Sequence, residues 1–172
     1  MWPLDPRADE IHLVDIVQAL SNTCRFGGHC EFYSVAQHSV LVSERCDARD
    51  ALWGLLHDAS EAYLGDIPGP IKRSSIFDRY RQIEASLQRV IVGKFGLDEV
   101  EPASVRVADK RMLATEMRDL IVGGVGHVDW LRQYTPYSER VVPWSPSEAR
   151  QRFLARYEQL SSGGSVLAAG RA

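Results

Sequence analysis

The chain has 172 residues, with 20 Lys and Arg against 23 Asp and Glu for a net charge of −3, which suits one domain with a full core rather than two. Its basic residues are scattered rather than gathered in a block, so polymeric nucleic acid is not expected as a partner, while a small anionic substrate stays open. Cys24, Cys30 and Cys46 lack the paired spacing of a zinc knuckle or disulfide framework, the amino terminus has no leader pattern, and no apolar run is long enough to span a bilayer, so a cytoplasmic protein with no membrane association is expected.

Apolar residues from Ile11 to Leu20 recur at mostly three- and four-residue steps and predict a first helix over Asp9 to Asn22, ended by Gly27-Gly28. Ser34 is an N-cap for a second helix reaching about Cys46. A third is predicted to run unbroken from Asp47 or Ala48 to Tyr63, where Gly65-Asp66-Ile67-Pro68-Gly69-Pro70 forbids continuation. Amphipathic helices follow over about Ile76 to Phe95 and Ala103 to Ile121. The start signal Ser145-Pro146-Ser147-Glu148 opens a last one to about Leu160. Between them lies a long loop from Gly123 to Pro143, read as either a functional cover or a plain connection. Residues 161–172 read as a disordered tail after one domain over 1–160. No alternating strand pattern occurs, so the expected class is all-α, with about six or more helices.

Chemistry concentrates in Leu55-Leu56-His57-Asp58-Ala59-Ser60-Glu61. At about 100° per residue, Leu52, Leu55, Leu56, Ala59 and Tyr63 share one stripe of the third helix, while His57, Asp58 and Glu61 share the opposite side. Such a face is either the solvated side of an amphipathic helix or the wall of a site. Gly54 points the same way and would leave room above it, and no Lys or Arg lies between Arg49 and Lys72. A face made only of acid and imidazole favours a cation. With His38 upstream and Asp109 downstream, the set is two imidazoles and two carboxylates. It suits one divalent transition ion, with manganese, cobalt, iron, nickel and zinc all compatible.

The order His38, His57-Asp58, Asp109 resembles the signature of the HD-domain metal-dependent phosphohydrolases. Arg25-Phe26, Ser34-Val35-Ala36-Gln37-His38-Ser39 and His57 through Lys72 are similar to the bacterial 5′-deoxynucleotidase branch. The resemblance implies a single HD-domain helical bundle in which His38, His57, Asp58 and Asp109 hold the metal and Glu61 transfers a proton. In the same way it assigns Arg25 to phosphate and Asp66 to the sugar. By their own chemistry, Lys72 and Arg73 can support Arg25 as less directional charges, and Phe26 can pack against base or sugar. The implied reaction is release of phosphate from deoxynucleoside 5′-monophosphates by attack of metal-bound water, in a homodimer or higher homo-oligomer. Relatives carry Trp after the matching Arg, where this chain has Phe26 followed by Gly27-Gly28-His29. No histidine lies between Ala59 and Ala108, so one metal is expected.

Two rival readings share these residues: a deoxynucleoside triphosphohydrolase like the short phage dATP hydrolases, and a nucleotide-sensing module that turns nothing over. His12, His29 and His127 read as ordinary solvated groups. Trp53, Tyr63, Phe77, Tyr80, Phe95 and Tyr157 read as core aromatics, and Glu116 and Asp119 as surface or interhelical charges.

Overall fold

Helices make up the regular structure of the chain. A computed structural model describes residues 1–123 and 129–168, the side chains of 163–168 excepted. It is all-α, and its one β-type feature among the described residues is an isolated antiparallel bridge between Cys24 and Ser34. The helices are α1 (Leu13–Asn22), α2 (Val35–Arg45), α3 (Ala51–Leu56), α4 (Glu61–Leu64), α5 (Gly69–Lys72), α6 (Asp78–Lys94), α7 (Ala103–Leu120) and α8 (Pro146–Ala168).

Helix α2 is central and packs against α1, α3, α7 and α8. Its start is set by Ser34, whose Oγ accepts from the Gln37 amide at 3.1 Å. Ser145 caps α8 in the same way, accepting from the Glu148 amide at 3.2 Å. One side of α2 meets a core of Ile16, Val17 and Leu20 from α1, Leu55 and Leu56 from α3, Leu87 and Ile91 from α6, and Phe153 from α8. The other meets Trp53, Val105, Ala108 and Met112. Each such apolar side chain contributes roughly 1.5–3 kcal/mol, so α2 is held on both flanks.

Three expectations are corrected. The third helix is not continuous: α3 ends at Leu56, residues 57–60 form turns, and α4 begins at Glu61. The cause lies on α6, where the Gln88 side chain accepts from the Ser60 amide at 3.1 Å and donates to the Leu56 carbonyl at 2.8 Å. That amide supplies the hydrogen bonds a broken helix leaves unmade. Gly54 does not clear space above the site. A Cβ there would stand 2.9 Å from Cys46 Sγ and 3.2 Å from Ser43 Cα, so Gly54 lets α3 approach α2 closely. The proline-rich stretch after Gly65 also forms the short helix α5, with Pro70 in its first turn.

The long connection after α7 includes a 3-10 turn over Asp129–Gln133, while 124–128, and with them His127, lie outside the described residues. Its second half is pinned. Arg118 donates to the Tyr137 and Glu139 carbonyls, Asp119 accepts from the Val141 amide, and Gln37 donates to Val142 O and accepts from the Trp144 amide. Helix α8 passes the expected end at Leu160, and what remains of the expected tail lies outside the described residues. Among the described residues no helix is long and apolar enough to cross a membrane.

Candidate metal centre

His38 lies midway along α2, fully buried, and His57 follows directly after α3. Their Nε2 atoms face each other at 3.2 Å. Asp58 Oδ2 is 3.2 Å from His57 Nε2 and 3.7 Å from His38 Nε2, and Asp109 Oδ1 on α7 is 3.3 Å from His38 Nε2. One donor atom each from His38, His57 and Asp109 falls within a 4.8 Å span. Residues from three separate segments thus converge on one point.

The ring nitrogens turned away from that point are both committed. His57 Nδ1 donates to the Gly54 carbonyl at 2.8 Å, and His38 Nδ1 lies 2.5 Å from Glu116 Oε1. With protons on both Nδ1 atoms, the Nε2 lone pairs point at each other, which only a cation or an added proton relieves. Two ligands held at about 2.1 Å from one ion stand roughly 3.0–3.4 Å apart at right or tetrahedral angles, and the two nitrogens match that spacing. The donor set therefore fits a divalent transition ion.

Electrostatics agree. Burial disfavours a charged His57 ring, but Asp58, reinforced by Asp109, overrides it and pushes the pKa up to about 9. For His38, burial and Arg25 oppose charge, yet Glu116 and Asp109 leave it raised. Burial would lift the carboxyls of Asp58 and Asp109, but the two imidazoles hold both well below the usual carboxylate range. The point where these groups meet attracts positive charge.

Glu116, seven residues after Asp109 on α7, is fully buried, which removes the surface alternative of its reading and leaves the interhelical one, facing His38 on α2. Its Oε1 accepts from the Tyr33 hydroxyl at 2.7 Å as well as facing His38, and its Oε2 is 3.2 Å from an Arg25 guanidinium nitrogen. Arg25 also stands 3.5 Å from Asp58 Oδ2 and is itself buried, with no partner for its Nε. It lies in a 3-10 turn over Arg25–Gly28 whose next two residues, Phe26 and Gly27, are left-handed at φ 57° and 59°. Glycine takes that conformation freely and phenylalanine does so at a cost. The Arg25 guanidinium sits 5.5 Å from the Phe26 ring centre, so the turn presents cation and ring together.

On the other wall, Glu61 opens α4 and is buried, with Oε2 unpartnered. Burial first, then repulsion from Asp58 and Asp66, raises its pKa well above the ordinary glutamate value against the opposing charges of Lys72 and Arg25. Lys72 Nζ stands 3.4 Å from Glu61 Oε1 and 2.7 Å from Glu84 Oε1. Asp66 is half-buried and its pKa too is raised by burial. Arg73, expected beside Lys72 as further phosphate charge, instead lies over the Trp130 ring at 4.9 Å.

Of the expected metal ligands, His38, His57 and Asp109 form the cluster, and Asp58 stands beside the two imidazoles but outside that three-residue group. Sequence reasoning missed Glu116, Tyr33, Glu84 and Gln88. Glu116 had a usable signal, because a spacing of seven puts it two turns from Asp109 on the same helix face. The other three act across 12 to 83 residues of chain and leave no local trace.

No protein-family model matches the chain. Over 156 residues it is 42% identical to the uncharacterized protein YfdR of Escherichia coli, covering 89% of this chain and 86% of the relative. An uncharacterized protein of Rhodobacter capsulatus is 36% identical over 117 residues, 62% of this chain and 59% of that protein.

Proposed function

The chain belongs to the family of Escherichia coli YfdR, and on the site just described we propose that it is a metal-dependent phosphohydrolase of the HD type, releasing phosphate from deoxynucleoside 5′-monophosphates. The observation that carries this reading is the facing pair of Nε2 atoms on His38 and His57, closed by Asp58 and Asp109, with Arg25 beside Asp58 and the buried carboxyl of Glu61 near by.

His38, His57, Asp58 and Asp109 would hold the ion, which when bound supplies a Lewis acid for the phosphoryl group and an activated water. Arg25 offers a planar fork to phosphate oxygens from beside Asp58. Glu61, its pKa raised by burial, is the candidate to pass a proton to the leaving sugar oxygen. Lys72, shared with Glu84, keeps Glu61 oriented. Asp66 is the candidate partner for a sugar hydroxyl, and the left-handed turn sets Phe26 against sugar or base.

Charge balance supports a monophosphate. Arg25 is already faced by Asp58 and Glu116, and Lys72 by Glu61 and Glu84, so little cationic charge is left for a triphosphate. The buried, unpartnered Glu61 oxygen supports turnover over mere sensing, because a sensor has no use for a proton donor. The test is a panel of mono-, di- and triphosphates with the cobalt- or manganese-loaded protein, detecting phosphate, pyrophosphate and triphosphate separately. Orthophosphate from deoxynucleoside monophosphates is expected. Triphosphate release would establish the triphosphohydrolase instead, and tight binding without any product would leave a sensor.

A further inference from the structure

We infer that Glu116 is a positioning residue that couples the metal ligand His38 to the phosphate-binding Arg25, with Tyr33 fixing its carboxylate; this rests on the metal and phosphate roles proposed above. Glu116 is fully buried, yet it touches neither the point where the donor atoms meet nor solvent. Its two oxygens serve different masters. Oε1 takes His38 Nδ1 at 2.5 Å and the Tyr33 hydroxyl at 2.7 Å, while Oε2 lies 3.2 Å from Arg25.

The local architecture ties the same three groups by backbone as well. The Arg25 amide donates to the Tyr33 carbonyl at 2.8 Å, and the Val35 amide at the head of α2 donates to the Thr23 carbonyl at 3.0 Å. The Arg25 turn is thus fastened to the start of the helix that carries His38. A carboxylate behind a metal-ligating imidazole fixes its tautomer and raises its basicity. Here the same carboxylate also holds the guanidinium beside Asp58. Arg25 therefore has two acids to satisfy, the buried Glu116 and the partly exposed Asp58, and both belong to the metal side of the site. An ion shared by His38 and Asp58 draws charge from one of them, which frees Arg25 to bind a phosphate oxygen. Metal and phosphate should accordingly bind with positive coupling.

The isosteric Glu116→Gln separates the two duties. Its amide oxygen can still accept from His38 Nδ1 and Tyr33, but the amide nitrogen then faces Arg25 without attraction. Three measurements on the full chain test this. In metal-free protein, NMR of the His38 Nδ1 proton should move upfield in Glu116→Gln, a signature that a merely space-filling role would not alter. Cobalt affinity by calorimetry should fall about 10–100-fold. Orthophosphate affinity, measured in wild type with and without cobalt and in cobalt-saturated variant, should be enhanced by the metal in wild type and lose that enhancement in the variant. Tyr33→Phe should give the same changes more weakly. A folded Glu116→Gln with an unshifted His38 proton or with wild-type cobalt and phosphate affinities would overturn the inference. The upfield shift in Glu116→Gln together with a wild-type chain that binds no cobalt would instead overturn the metal reading, so the two failures are told apart.

Discussion

The two walls of the site are built in opposite ways. On the inner wall, His38, Tyr33, Glu116 and Arg25 are buried and joined across up to 83 residues of chain. On the outer wall, Glu61, Lys72 and Glu84 come from one stretch of sequence, and Lys72 and Glu84 keep 23% and 18% of their side-chain surface exposed. The difference teaches a division of labour. A buried wall tied together by ion pairs and hydrogen bonds holds its geometry before any ligand arrives, whereas a partly exposed ion pair can rearrange.

The strongest way to break this division is to remove a donor from each side of the centre. His57→Ala or Asp58→Ala should abolish stoichiometric cobalt binding and all metal-dependent turnover, whereas Glu61→Gln should keep the cobalt and lower kcat by about 10²–10⁴-fold. Equal metal loss in all three would make Glu61 a ligand. Next in size is Arg25→Ala. Besides raising KM, it strips the buried Glu116 Oε2 of its cation, leaving Tyr33 and His38 on Oε1 alone, so a loss of roughly 3–5 kcal/mol in denaturant unfolding is expected. An unchanged unfolding midpoint would place Arg25 among the mobile groups of the outer wall.

Smaller effects probe the break between α3 and α4. Gln88→Leu strands the Ser60 amide and the Leu56 carbonyl and should cost roughly 1–3 kcal/mol. A neutral result would mean that the turns at 57–60 hold without it. The mildest test is pH. His57 has a folded pKa raised from 6.5 to about 9, so its ion pair with Asp58 stabilises the metal-free protein fully below pH 6.5. That contribution disappears as pH rises through about 9. The metal-free melting temperature should therefore decline over this window while cobalt affinity climbs, because ion and proton compete for the same nitrogen. A flat metal-free profile would separate His57 from Asp58.

How much was legible follows from how far apart the interacting residues lie. Helices α2, α6 and α7 follow from their own apolar residues, with Ser34 as the cap of α2. The meeting of His38, His57 and Asp109 was expected from residue type, since imidazoles and carboxylates in that order have few other joint uses. The break at His57 was illegible because Ala59-Ser60-Glu61 contains no helix breaker. It is imposed by a glutamine 28 residues beyond Ser60. Gly54 was misread for a related reason: helix geometry gives a direction for a missing side chain but not the neighbour, here Cys46, that fills the space. Buried polar partners such as Gln37 and Glu116 look like surface residues until the elements that cover them are in place.

The most direct test of the account is anomalous diffraction at the cobalt edge from cobalt-loaded crystals. A single strong peak bonded to Nε2 of His38 and His57 and to the carboxylates of Asp58 and Asp109 is the predicted result. A peak elsewhere, or none at saturating cobalt, would contradict it.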